Sequence, residues 1–264
     1  MTEQPLLDLE PFHTLRRAEE LLSVLPKETA SKLTIAGGQA LMVWAEYYLI
    51  DSLTGFEYEN LASDDLDLLG RKQEVEACAR AWGGRAQLPQ PFDNSPQSGI
   101  VFLEDDGVLE AIDFLSHIYG LNDKQVRRYC DKLIFGDNMV AVMSPPLCLK
   151  SRIANLAGLG YSDEKAAREC VRIKLAASAC RAYILDQLER DSLLPARKVI
   201  KYLVRNVFST TEAVRVEAKY NVKFEHCFPE AIKARLPLTW ERYLPLWLGK
   251  HHDKVARLKR RLDQ

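Results

Sequence analysis

The stretch from Ser63 to Gly70 constrains this chain more than any other. It reads Ser63-Asp64-Asp65-Leu66-Asp67-Leu68-Leu69-Gly70. Successive side chains of a strand point to opposite faces, so Asp65 and Asp67 share one face while Leu66 and Leu68 share the other. One face is therefore bound for a core, and the other carries two carboxylates that repel each other unless something positive lies between them. A hard divalent cation, Mg²⁺ or Mn²⁺, is the natural partner, because it takes oxygen ligands and keeps close company with phosphates. A third carboxylate, Asp113, stands inside the apolar run Ala111-Ile112-Asp113-Phe114-Leu115. A charge there is costly unless it is paired or binds metal. Three carboxylates on adjacent strands would hold one or two metals across a triphosphate, activate a hydroxyl and stabilise the leaving pyrophosphate.

The surrounding pattern sets the fold class. Leu15, Ala18, Leu21 and Leu22 give a helix over 11–24 with one apolar face. Leu33 to Ala36 reads as a short strand, broken by Gly37-Gly38, and Gln39 through Leu49 as an apolar helix. Lys72 to Trp82 suits a further helix. Gly99–Leu103 and Val108–Phe114 form a hairpin, and the residues around 135–143 add a turn and a short strand. From Pro145-Pro146 onward the pattern is helical: 147–156, a long segment 163–189 capped by Ser162, then 193–207, 211–219, 240–248 and 251–262. The expected fold is α+β, with an N-terminal mixed-sheet core over 1–144 and a C-terminal helical, basic domain over 145–264 that completes the cleft.

Net charge is only −1, but it is unevenly spread. Residues 1–120 hold 8 Lys+Arg against 21 Asp+Glu, a net of −13, and the remainder holds 28 against 16, a net of +12. Such a split fits either attraction between the two halves or a basic surface for a polyanion. No apolar stretch approaches a membrane span, and Met1 is followed by neither a basic start nor an apolar run, so no membrane association and a cytoplasmic location are expected. The six cysteines form no CxxC pair and match no zinc spacing; buried free thiols are expected.

Gly37-Gly38 sits between strand and helix, where bare glycines let a phosphate approach the backbone and the helix start offers free N–H groups. Ser63 adds a hydroxyl just before the acidic strand. The order of Ala36-Gly37-Gly38-Gln39-Ala40-Leu41, then Ser63-Asp64-Asp65-Leu66-Asp67-Leu68, then Asp113 resembles the polymerase-beta-type nucleotidyltransferase superfamily. Within it the sequence looks most like the AbiEii-like group, which includes toxins of toxin–antitoxin and phage-defence systems. The resemblance covers roughly residues 30–175. It implies that Asp65, Asp67 and Asp113 are catalytic metal ligands, and that Gly37, Gly38 and Ser63 bind the nucleotide. Lys150, which best matches the group's lysine in a helix after the sheet, would serve as a catalytic point charge on the triphosphate. Arg152 and Asn155 share a helix face and are candidates to touch nucleotide or acceptor. Leu61 stands where many relatives carry an arginine. The relatives' carboxylate after the lysine has no clear match, Asp163 and Glu169 being the two candidates.

The implied activity is metal-dependent transfer of a nucleoside monophosphate from a nucleoside triphosphate to RNA such as tRNA, with a cognate antitoxin protein as a further expected partner. Two alternatives stand beside it. One is a non-catalytic nucleic-acid-binding or regulatory protein on the same fold; the other is a transferase acting on a protein or a small molecule.

Overall fold

A computed structural model describes residues 15–61, 66–90, 95–105 and 108–263. The first part of the chain forms α1 (Leu15–Ser23), α2 (Lys27–Ala30), β1 (Thr34–Ile35), α3 (Gly37–Leu49), α4 (Gly55–Leu61), β2 (Leu66–Leu69), α5 (Lys72–Trp82), β3 (Arg85–Gln87), β4 (Gln97–Asp105), β5 (Val108–Leu115), α6 (Asp123–Tyr129), β6 (Cys130–Phe135) and β7 (Asn138–Met143). Helices follow: α7 (Pro145–Gly158), α8 (Asp163–Glu189), α9 (Leu194–Leu203), α10 (Thr211–Tyr220), α11 (Ala231–Arg235) and α12 (Leu244–Leu262). The fold is thus mixed α+β, with an N-terminal strand-and-helix core and a C-terminal helical region. Two compact units make it up, each discontinuous in sequence. One comprises Met1–Met42, Ala62–His117 and Asp131–Val142, the other Val43–Leu61, Ile118–Cys130 and Met143–Gln264.

The first unit is built on a seven-stranded sheet of order β3-β4-β5-β2-β1-β7-β6. Its centre is mixed: β2 runs parallel to β5 and antiparallel to β1, and β1 runs parallel to β7. Register decides which side chains go inward. Ile35 aligns with Leu68 and Val142, and Leu68 with Phe114, so one row of apolar residues crosses four strands. All four are fully buried. Burying a side chain of this size is worth about 1.5–3 kcal/mol, so the row is a large part of what fixes the register.

α1 and α5 cover that apolar face. Ala18, Leu21 and Leu22 are the buried residues of α1, as their spacing requires. Trp82 stacks at a tilt on Phe114 and donates its indole N–H to the Leu21 carbonyl at 2.8 Å. Arg17 reaches the buried carboxylate of Glu110 on β5, at 2.8 Å. The Asn138 amide donates to the carbonyls of Leu22 and Leu25, both at 2.8 Å, which satisfies backbone groups at the end of α1.

In the second unit α7 packs along α8, and α10 along α7 and α12. α7 opens on Pro145-Pro146, where missing N–H groups cost nothing. α8 is capped by the Ser162 hydroxyl, which accepts from the Lys165 N–H. The residues expected as two separate helices, 240–248 and 251–262, lie in a π turn and the single helix α12. Buried His251 anchors its middle, bonded to the Phe208 carbonyl and the Glu217 carboxylate at 2.8 Å each. That burial holds the helix together across Gly249. All six cysteines are free thiols, and Cys78, Cys148, Cys180 and Cys227 are buried. Burial pushes the Cys78 thiol up to about 12, with the nearby Glu74 carboxylate adding to it. Among the described residues no helix is long and apolar enough to cross a membrane.

Candidate functional site

Asp67 and Asp113 occupy the same register position on the parallel strands β2 and β5. Neighbouring strands lie about 4.8 Å apart, so the two carboxyls rise from adjacent positions on one face of the sheet. It is the face opposite Leu68 and Phe114, and both aspartates are half-buried there. The Gln97 amide donates to Asp113 Oδ1 at 3.0 Å. Gln97 is a residue that sequence reading missed; its contact depends on the register of β4 against β5, which shifts between Gln97 and Gly99.

Gly37 forms the joint between β1 and α3. Its φ of +58° lies in the left-handed region, and a Cβ there would overlap the Asp67 carboxylate. Glycine is needed twice over, for the turn and for the space. The Asp67 carboxylate consequently lies against the first residue of α3, a helix of 13 residues. Free N–H groups and the positive end of the helix dipole meet it there, a setting that also favours phosphate. The helix includes Gly37 and Gly38 rather than beginning after them, because the single left-handed turn at Gly37 suffices to redirect the chain. Gly38 is buried behind it.

Ser63 and Asp65 lie outside the described residues. Among the described residues there is no group of three or more His, Cys, Asp or Glu placed to hold a metal ion. The pair Asp67 and Asp113 nevertheless suits a hard cation in its chemistry. Mg²⁺ is commonly bound by one or two carboxylates, with water and substrate phosphates completing its shell.

The remaining candidates lie on α7, in the second unit. Lys150 is half-buried and donates to Gln125 Oε1 at 2.9 Å. Desolvation lowers its pKa, partly offset by the Glu212 carboxylate. Arg152 is buried and bonds Glu169 Oε1 at 2.9 Å, so its guanidinium is engaged inside the unit. The same oxygen takes Arg172 at 3.2 Å. Asn155 is half-buried, and its side-chain oxygen has no hydrogen-bond partner among the described residues. α7 therefore turns Arg152 inward, while Lys150 lines a small cavity of about 170 Å³ with Gly120, Thr210 and Glu212.

No known family profile matches the chain. No curated protein matches it either. Among solved structures it is similar to an antigenic nucleotidyltransferase-like protein from Paracoccidioides brasiliensis, with 15% identity and a TM-score of 0.44 over 71% of this chain and 95% of that one.

Proposed function

We propose that this chain is a metal-dependent nucleotidyltransferase that moves a nucleoside monophosphate from a nucleoside triphosphate to RNA. The observation that supports it is the triple juxtaposition in the first unit: Asp67 beside Asp113 in register, with the Asp67 carboxylate seated on Gly37 at the start of α3. Two acids on adjacent strands are a poor choice for stability, since like charges side by side destabilise a sheet. Their use is to present oxygen ligands. A bound Mg²⁺ or Mn²⁺ would be held by Asp67 and Asp113, together with Asp65, and would supply charge neutralisation at the triphosphate.

The chain's own groups do the rest. Gly37 leaves room for the Asp67 carboxylate at the start of α3, and the N–H groups of the first turn of that helix would orient a phosphate beside it. Gln97 holds the Asp113 carboxylate in place by its 3.0 Å hydrogen bond. Lys150 is proposed as a point charge on a phosphate. RNA such as tRNA is the proposed acceptor. A toxin role with a cognate antitoxin follows only from the sequence resemblance.

The test is incubation of the full chain with labelled triphosphates, Mg²⁺ and total RNA, followed by separation of RNA, protein and small products. Label is expected in RNA, and Asp67→Asn should lower transfer by about 100-fold or more, the scale on which removal of one electrostatic group acts in such sites. Transfer within tenfold of the parent, with an unchanged thermal midpoint, would overturn the assignment.

A further inference from the structure

In the first unit a cleft of about 950 Å³ opens beside the carboxylate face. Thr34, Leu69 and Leu115 help to line it. Thr34 aligns with Leu69, and Leu69 with Leu115, so they form one row across β1, β2 and β5. That row lies two residues further along the strands than Asp67 and Asp113, on the same face, which is about 7 Å away. Gln97 both lines the cleft and bonds Asp113, so cleft and carboxylates are neighbours.

Its charge is out of keeping with its surroundings. Residues 1–120 hold only 8 Lys+Arg against 21 Asp+Glu. Yet among the described residues Lys32, Arg71 and Lys72 line this cleft with a single acid, Glu74. Glu74 is buried and spends one carboxylate oxygen on the Arg71 N–H at 2.9 Å. Lys32 is paired with Glu28 at 2.8 Å. Arg71 and Lys72 are exposed and make no ion pair with any described residue. Arg71 is the N-cap residue of α5 and Lys72 begins it, so the positive end of that helix lies among the residues that line the cleft. Ser98 adds an independent sign. It sits at the register shift of β4 and is only 7% exposed as a residue, yet its hydroxyl, which makes no hydrogen bond with the described residues, is itself open to the solvent of the cleft it lines. A bulge re-aims a side chain, and here it turns a hydroxyl that no described residue occupies toward the cleft, where it is free to donate to a ligand.

We propose that this cleft is a phosphate-binding subsite, with Arg71 and Lys72 as its cations and the Ser98 hydroxyl as a donor, separate from the phosphate approach at the start of α3. Thr34 and Gly37 lie at opposite ends of the segment that carries β1 into α3, so the cleft and the α3 start flank Asp67 along that segment. The group it takes is a phosphate ester or polyphosphate: either the phosphate of an acceptor or the far end of the triphosphate. The cleft's part in transfer rests on the function proposed above; its affinity for phosphate does not.

Calorimetry of the full chain with inorganic pyrophosphate in EDTA tests it, on the parent, on Arg71→Ser with Lys72→Ser, and on Ser98→Ala. The two serines replace exposed residues, and thermal midpoints check that all three proteins fold. The double variant should lose about tenfold in affinity or more, the order expected when two charges close to an anion are removed. Ser98→Ala should lose several-fold. Equal affinity in parent and double variant, or no measurable binding by the parent, overturns the proposal. Adding a nucleoside triphosphate with Mg²⁺ separates the sources. Displacement of pyrophosphate assigns the cleft to the triphosphate, and simultaneous binding assigns it to an acceptor phosphate. Failure of label transfer with intact, Arg71- and Lys72-dependent pyrophosphate binding would sink the transferase and leave the subsite; unchanged pyrophosphate binding in an active transferase would do the reverse.

Discussion

Gly37 is the residue on which the geometry of the site turns most sharply. Its left-handed φ of +58° costs a residue with a side chain about 1–2 kcal/mol by itself. A methyl group there must also displace the Asp67 carboxylate, the nearest atom to where it would sit. The two effects separate experimentally. Gly37→Ala should lower the thermal midpoint by a few degrees, as about 1–2 kcal/mol does in a chain of this size. It should lower nucleotide transfer far more than that loss of stability explains, since Asp67 would move away from its place beside Asp113. Transfer scaled only by the fraction folded would show that the position of Asp67 does not matter. Buried neighbours tell the opposite story: Gly38 and Ala36 pack, and the sequence offers no hint which glycine of the pair carries the constraint.

At the level of elements, the second unit depends on an ion network that ties α7, α8 and the end of α4. Arg152 and Arg172 share Glu169 Oε1, and Arg172 also donates to the Asn60 carbonyl at 2.7 Å. Burial lowers Arg172 to about 10, with the Arg152 charge adding to the shift and Glu169 opposing it. Glu169→Gln removes the carboxylate that the buried Arg152 and the half-buried Arg172 share, and should destabilise the fold by roughly 3–5 kcal/mol. Thermal unfolding checks this; a drop of under a degree would mean that solvent compensates the network. Little of this was legible in the sequence. Arg152 read as a candidate ligand because helix spacing shows which residues share a face, not which charge waits 17 positions on along another helix. What local physics fixes was readable: α5 from its amphipathic spacing, α8 from its cap at Ser162, and β2 from its alternation. What depends on distant pairing was not. β1 is only two residues long, and its place at the centre of the sheet comes from β7, more than 100 positions later, with Thr34 opposite Ala141. The pairing of Asp67 with Asp113 was half legible: three acids in apolar surroundings announced a site, while their register needed the sheet.

For the molecule as a whole, charge is the property that bears on the acceptor. The formal net charge of −1 hides a swing from −13 in residues 1–120 to +12 beyond. An acceptor with a phosphate backbone is repelled by bare carboxylates and needs a positive surface to hold it. The second unit has one. On α9 and the π turn that follows it, Lys198, Lys201 and Arg205 are exposed at helical spacing, while Ala196, Val199, Ile200, Tyr202 and Leu203 turn inward. Packing thus leaves this cationic face in solvent instead of consuming it. α12 offers a second row in Lys254, Arg257, Arg260 and Arg261, whereas Lys259 is tied to Asn221 at 2.9 Å. Such a face positions a backbone without reading bases. Lys198→Glu with Lys201→Glu should therefore weaken RNA binding strongly and leave triphosphate affinity unchanged. On a single strand, each phosphate that a cation neutralises adds about 0.7 to the steepness of log affinity against log salt, so the double variant should flatten that slope by about 1.4. Filter binding across a salt series, with calorimetry for the triphosphate, reads both quantities. Parent-like RNA affinity with an unchanged slope would exclude this face as the acceptor path, and RNA that binds neither protein would point instead to a protein or small-molecule acceptor.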